Sequence, residues 1–242
     1  MPELTSPFGT GRHFGNEEID LIRDMVKYGM LMWTEDPFRL KSGVPSHIYF
    51  NGRGDLTDNP ALTEQCGRFI GKRICDLLSS DEKRRPIVIG IPTAATGFAA
   101  CVTHYNPRVF GRERPGFRIM REKLKQNHGA TGQRGYWVNG RPDQERHIYF
   151  TIENVVTSGG SLLEALERLE SNDSYDVKAM THFVFMDRQQ GGVARLRREG
   201  YTIHSFFELL DVVWVLSQLD IKGWDGDRLA KVKAEIDAHQ VV

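Results

Sequence analysis

A chain of 242 residues, 40% of them hydrophobic, can bury one substantial core and lies at the upper end for a single domain. Thirty-two basic residues balance thirty-two acidic ones, which excludes a global positive field for nucleic acid or an anionic membrane and makes any phosphate site a local one. Cys66, Cys75 and Cys101 form no Cys-x-x-Cys pair, which excludes a disulfide framework or a zinc cluster and fits a reducing, cytoplasmic location.

Residues 1–15 carry Pro2, Pro7 and three glycines without a basic start and apolar run, and read as a flexible arm rather than a secretory signal. From Glu17 to Met32, apolar Ile19, Ile22, Met25, Val26, Met30 and Leu31 recur at three- and four-residue steps, which predicts an amphipathic helix. A turn at Lys41-Ser42-Gly43 then leads to an extended Ile48-Tyr49-Phe50. Asn59-Pro60 opens a helix that runs to about Leu78. Pro86 to Gly90 is a short apolar strand, followed by a helix within Thr93 to Val102. Gly111 to Arg146, charged and aperiodic, reads mostly as a flexible loop on a hairpin. His147 to Ile152 is a strand, Ser161 to Glu170 a helix and Ala179 to Met186 a strand. The alternation predicts an α/β fold with a mainly parallel central sheet flanked by helices. Glu208 and Asp211 interrupt the richest apolar run, Phe206 to Leu216, so no transmembrane helix is expected.

The chemistry concentrates after the strand at Ile148 to Ile152. Glu153-Asn154 precede Val155-Val156-Thr157-Ser158-Gly159-Gly160-Ser161, and a helix follows. A helix N-terminus presents N–H groups and partial positive charge, the glycines let backbone curl round a phosphate, and Thr157, Ser158 and Ser161 add hydroxyl donors. Glu153, at the carboxyl end of the strand, is placed to accept hydrogen bonds from a sugar carried on that phosphate. Together these residues describe a ribose 5-phosphate site. The alternative is a Gly-Gly turn between a buried strand and a helix.

Ile152 to Ser161 resembles the phosphoribosyl diphosphate signature of the type I phosphoribosyltransferases. The resemblance implies that family's fold, with a small N-terminal hood at residues 16–58 inside a single domain spanning residues 16–242. Three further segments resemble the orotate branch. Phe38 to Gly43 with Tyr49-Phe50 looks like its base-binding hood, which implies that Lys41, Tyr49 and Phe50 meet the base. Asp187-Arg188-Gln189-Gln190-Gly191-Gly192 looks like its second base segment, with Arg188 on the base. Aromatic walls and a forked guanidinium suit a planar carboxylate, although an ordinary core strand and a surface ion pair are the alternatives. Arg121 to Gly129 looks like the mobile catalytic loop, so the resemblance assigns Lys123, Lys125 and His128 to the leaving diphosphate, with Thr93 beside them. A solvated charged hairpin is the alternative there. The resemblance also implies magnesium carried in with the donor, no metal held by the protein alone, a homodimer, and small-molecule substrates, phosphoribosyl diphosphate and orotate.

The sequence departs from that family at three places. Asn154 stands where a second acid is usual. The loop is one residue longer, which puts Gln126 where a lysine belongs and leaves Lys123 and His128 in register. Pro92 to Gly97 lacks the lysine often found at the diphosphate site. Two other readings follow from these departures: a phosphoribosyltransferase for another base, or a regulatory protein that binds nucleotide or donor with weakened catalysis.

Overall fold

The structure is a computed structural model and describes residues 4–8, 10–40, 42–52, 54–105, 114–124 and 136–240. In chain order the elements are β1 (Leu4–Thr5), β2 (His13–Phe14), α1 (Asn16–Lys27), β3 (Leu31–Arg39), β4 (Pro45–Phe50), α2 (Gly54–Asp58), α3 (Pro60–Asp76), β5 (Arg85–Gly90), α4 (Ala95–Cys101), β6 (Gly116–Ile119), β7 (His147–Val156), α5 (Gly160–Ser171), β8 (Thr181–Asp187), α6 (Gly192–Arg198), β9 (Thr202–Glu208), α7 (Leu209–Gln218) and α8 (Gly226–Ala238). Five strands form one parallel sheet in the order β6-β5-β7-β8-β9. Its inner strands are buried almost without interruption, as a sheet covered on both faces requires. The expected α/β class and parallel sheet are therefore observed.

An aromatic series ties the layers together. Phe69 of α3 stacks on Phe207 of β9 at 5.3 Å, and Phe98 of α4 meets Phe185 of β8 at 4.5 Å. Phe50, from the separate antiparallel β3-β4 hairpin, reaches the same Phe185 at 5.8 Å. Such ring pairs contribute about 0.5–1.5 kcal/mol each beyond the area they bury. This series holds the hairpin against the carboxyl ends of the sheet, where α/β proteins bind ligands.

Several elements differ from the sequence reading. The helix expected to reach Met32 stops at Lys27, because Gly29 takes a φ of +78° and Leu31 begins β3. The segment read as a loop on a hairpin contains β6, a full member of the sheet, and an isolated bridge between Met120 and Val138. β7 continues past Ile152 to Val156 because β8 runs beside it as far as Asp187, so Glu153 and Asn154 lie on the strand. Residues 4–8 and 10–14 are a docked hairpin rather than a loose arm. Ser6 and Thr10 donate to the buried Asp211 at 2.6 and 2.8 Å, Arg12 bridges Glu208 and Glu18, and Phe14 is fully buried. α6, β9, α7 and α8 had no counterpart in the periodicity. His182 is a structural histidine, sharing hydrogen bonds with Thr151 Oγ1 at 2.8 Å and the Val177 carbonyl at 2.9 Å.

Candidate active site

β5, β7 and β8 end together, and each leads into a loop at the same edge of the sheet. The first loop, Ile91 to Ala94, folds back tightly over the end of β5. A Cβ on Gly90 would stand 2.5 Å from the Ala95 carbonyl oxygen, so only glycine permits this path. The peptide bond between Pro92 and Thr93 is cis. The second loop, Thr157 to Gly159, turns through Gly159 at a φ of +80° into α5, whose apolar Leu162, Ala165, Leu166 and Leu169 are buried. A glycine cap has no side chain to offer the first turn, which opens on the cleft and is suited to an anion. The third loop, Arg188 to Gly191, is stitched to the second. The Arg188 N–H donates to the Val156 carbonyl and the Gly192 N–H to the Thr157 carbonyl, each at 3.0 Å.

These loops and the β3-β4 hairpin enclose a cleft of about 640 Å³. Glu153, Asn154, Val155, Val156, Thr157, Ser158, Gly159, Gly160 and Ser161 form one wall, Thr93 with Pro92 and Ala94 another, and Tyr49, Phe50 and Arg188 a third. Sequence-predicted phosphate, sugar and base residues thus meet in one space. Lys123 is exposed and does not line the cleft. Lys41, Lys125 and His128 lie outside the described residues. Sequence reasoning missed Asn51, Gly52 and Glu164, which also line the cleft. Gly52 carried a signal in its neighbourhood with Tyr49-Phe50: its Cβ position is 2.9 Å from the Phe98 ring and 3.2 Å from Asn154 Nδ2, so the hairpin closes on β7 only through a glycine.

Three buried ionisable groups lie at the ends of β7 and β8, and two of them, Glu153 and Arg188, line the cleft. Glu153 is nearly buried on β7, with one carboxylate oxygen accepting from the Asn154 N–H at 2.9 Å. Arg188 is 3% exposed. It donates to Ser46 Oγ at 3.1 Å and to the Ile48 carbonyl, which joins the sheet to the hairpin. Burial pushes its pKa down to about 10, and Glu235 opposes that push, so it remains cationic at neutral pH. It has no carboxylate within ion-pair distance among the described residues, and its five donors are not all engaged. Asp187 lies beside Glu208 in the strand register. Burial, and then the neighbouring Glu208, push the Asp187 carboxyl up from 3.8 to about 6, against the Gln189 N–H that it accepts at 2.8 Å. A carboxyl raised in the folded state favours folding when protonated. Its contribution is complete below pH ~4 and is lost as pH rises through ~6, a swing of about 3 kcal/mol. Asp187→Asn is therefore expected to raise unfolding free energy by about 2 kcal/mol at pH 7.5 and to leave it unchanged at pH 4, as read from denaturant midpoints.

No protein-family model matches the chain. Among curated proteins, the uridine 5'-monophosphate synthase of Caenorhabditis elegans is 30% identical over 209 residues, which is 86% of this chain and 37% of that protein. The chain therefore spans little more than a third of that relative. The orotate phosphoribosyltransferase of Nostoc sp. is 28% identical over 183 residues, 75% of this chain and 80% of that protein. Among solved structures, the UMP synthase of Leishmania donovani superposes with a TM-score of 0.68 at 20% identity, covering 93% of this chain and 43% of the other. The parallel sheet with its acid, loop and helix at one strand end is the type I phosphoribosyltransferase fold, and the chain's curated relatives are of that family. Within the family its relatives are those of the orotate branch.

Proposed function

We propose that the chain transfers the phosphoribosyl group of phosphoribosyl diphosphate to orotate, giving orotidine 5'-phosphate and diphosphate in pyrimidine biosynthesis. The observation that carries this reading is that one cleft is lined both by the glycine-rich loop Thr157 to Ser161 and by the cationic and aromatic Arg188, Tyr49 and Phe50. A phosphate at one end and a planar carboxylate at the other match that polarity.

In this reading the loop holds the 5-phosphate, and Glu153 accepts from ribose hydroxyls and places the anomeric carbon. As the bond to diphosphate breaks, the ribose gains positive charge, which the Glu153 carboxylate stabilises. A ring nitrogen of the base, held against Tyr49 and Phe50, then bonds to that carbon. Residues 16–58 act as the hood over the base. Thr93 lines the side where diphosphate leaves, and Lys123, Lys125 and His128 are assigned to that diphosphate by resemblance, together with Lys41 at the base. Magnesium enters as part of the donor. Among the described residues no group of three His, Cys, Asp or Glu side chains could cage a metal; in this reading the donor's own oxygens would carry the cation. A homodimer and a cytoplasmic location complete the proposal; Cys66, Cys75 and Cys101 are buried and form no disulfide.

Purified protein with donor, magnesium and orotate is expected to consume orotate's ultraviolet absorbance. Turnover of a panel of other bases with orotate unchanged would refute the substrate. A second reading, a nucleotide- or donor-binding regulator, is favoured by Asn154, an amide in the wall of the cleft where a second carboxylate would add charge. Asn154→Asp separates the two. Under the transferase reading it is expected to raise kcat on the order of tenfold, with little change in donor affinity. Tight donor binding with no turnover in either form would favour the regulator.

A further inference from the structure

The guanidinium of Arg188 does not hold its place alone. Its two protein acceptors, Ser46 Oγ and the Ile48 carbonyl, flank His47 on β4. The His47 N–H between them is bound from outside the site by Glu235 of the C-terminal helix α8, whose Oε1 accepts it at 3.1 Å. The ring Nε2 of His47 lies 3.8 Å from the same oxygen, and its Nδ1 is 2.8 Å from the Thr34 carbonyl of the partner strand β3. α8 grips the hairpin a second time. The Trp33 ring is stacked on His47 at 4.7 Å, while Arg228 of α8 stands over Trp33 at 4.6 Å and pairs with Glu35 at 2.9 Å. Glu235 and Arg188 therefore hold the same three residues of β4. Glu235 is also the charge that favours the ionised form of Arg188.

Resting on the orotate-transfer reading, we propose that Glu235 is a positioning residue for the base: by fixing Ser46 to Ile48 it aims the unused donors of Arg188 at the carboxylate of an anionic pyrimidine. Glu235 does not line the cleft and touches no substrate. It acts through the strand, and its carboxylate supplies the helix's share of the field at Arg188. The bonds of Glu235 run to β4, so its loss bears on the base end of the cleft before the donor end.

The test compares Glu235→Gln, which keeps an amide oxygen for the His47 N–H, with Glu235→Ala, which removes acceptor and charge. In steady-state kinetics Glu235→Ala is expected to raise the orotate KM on the order of tenfold and to leave kcat and the donor KM within about twofold. Glu235→Gln is expected to fall between it and wild type. Thermal melting run beside the assays separates this from a structural role. A role in folding alone lowers the melting temperature and the active fraction while leaving KM for orotate unchanged, and that pattern in Glu235→Ala overturns the proposal. If Glu235→Ala does not fold at the assay temperature, Glu235→Gln decides: a folded Gln variant with a wild-type orotate KM defeats the proposal. Wild-type protein that turns over no orotate defeats the transferase reading and this one with it, whereas wild-type turnover with unchanged variant KM defeats only the positioning role.

Discussion

Gly192→Ala is expected to lower affinity for phosphoribosyl diphosphate by about a hundredfold, although residue 192 does not line the cleft. A Cβ at this position would stand 2.3 Å from the Thr157 carbonyl oxygen, 2.7 Å from the Ser158 carbonyl carbon and 2.8 Å from the Gly159 nitrogen. All three are backbone atoms of the phosphate loop, so the contact cannot be relieved by rotating a side chain. The loop must shift, and the hydrogen bond from the Gly192 N–H to Thr157 is lost or bent as it does. A misplacement of about 1 Å in a positioning element costs on the order of a hundredfold, and overpacking removes about 1–3 kcal/mol of stability as well. Calorimetry with the donor and magnesium reads the first effect and denaturant unfolding the second. Gly226→Ala is the control, since its Cβ meets nothing within 4 Å. A Gly192→Ala protein that binds donor like wild type would mean that the loop takes up the methyl group without moving.

The second large effect falls on the base. Arg188→Lys keeps a cation but replaces a planar fork by a point charge, so it cannot serve Ser46, Ile48 and a substrate carboxylate at once. The orotate KM is expected to rise about a hundredfold, equivalent to about 2–3 kcal/mol, with donor affinity within about twofold. Arg188→Ala adds a stability loss of about 1–3 kcal/mol, because the Ile48 carbonyl and Ser46 hydroxyl each lose a buried hydrogen bond from a charged donor. Kinetics with orotate varied at saturating donor measure the first change and melting the second. An orotate KM unchanged in Arg188→Lys would remove this residue from the base site.

What the sequence disclosed and what it withheld have separate physical causes. β5, β7, β8 and α5 were legible because each is a short apolar run or a clean helical stripe bounded by turn residues, and the glycine pair after β7 announced the loop. β3 was hidden because Met30 and Leu31 keep the phase of the preceding helix, while Glu35, Asp36 and Pro37 interrupt any alternation. β6 is four residues long inside a charged stretch and becomes a strand only by pairing with β5. β9 and α7 merge into one apolar run whose periodicity decides nothing. The N-terminal hairpin depends on Asp211 and Glu208, some two hundred residues away, and no local pattern shows such partners. At the site, Thr93, Glu153 to Ser161, Tyr49, Phe50 and Arg188 line the cleft as the motifs suggested, whereas Lys123 does not and Asn51, Gly52 and Glu164 carried no motif. Gly192 and Glu235, which hold those residues in place, are joined to them only by folding.

The two backbone hydrogen bonds that stitch the Arg188–Gly191 loop to the phosphate loop turn the cleft into a caliper. The Thr157 loop and the Arg188 backbone cannot drift apart independently, so under the proposed transfer the protein would measure the span between a phosphate and a carboxylate as well as recognise each. A sugar phosphate alone closes on one jaw and a base alone on the other. In that reading only the nucleotide would span both, and a base whose carboxylate sits at another ring position is expected to be refused on length before chemistry begins.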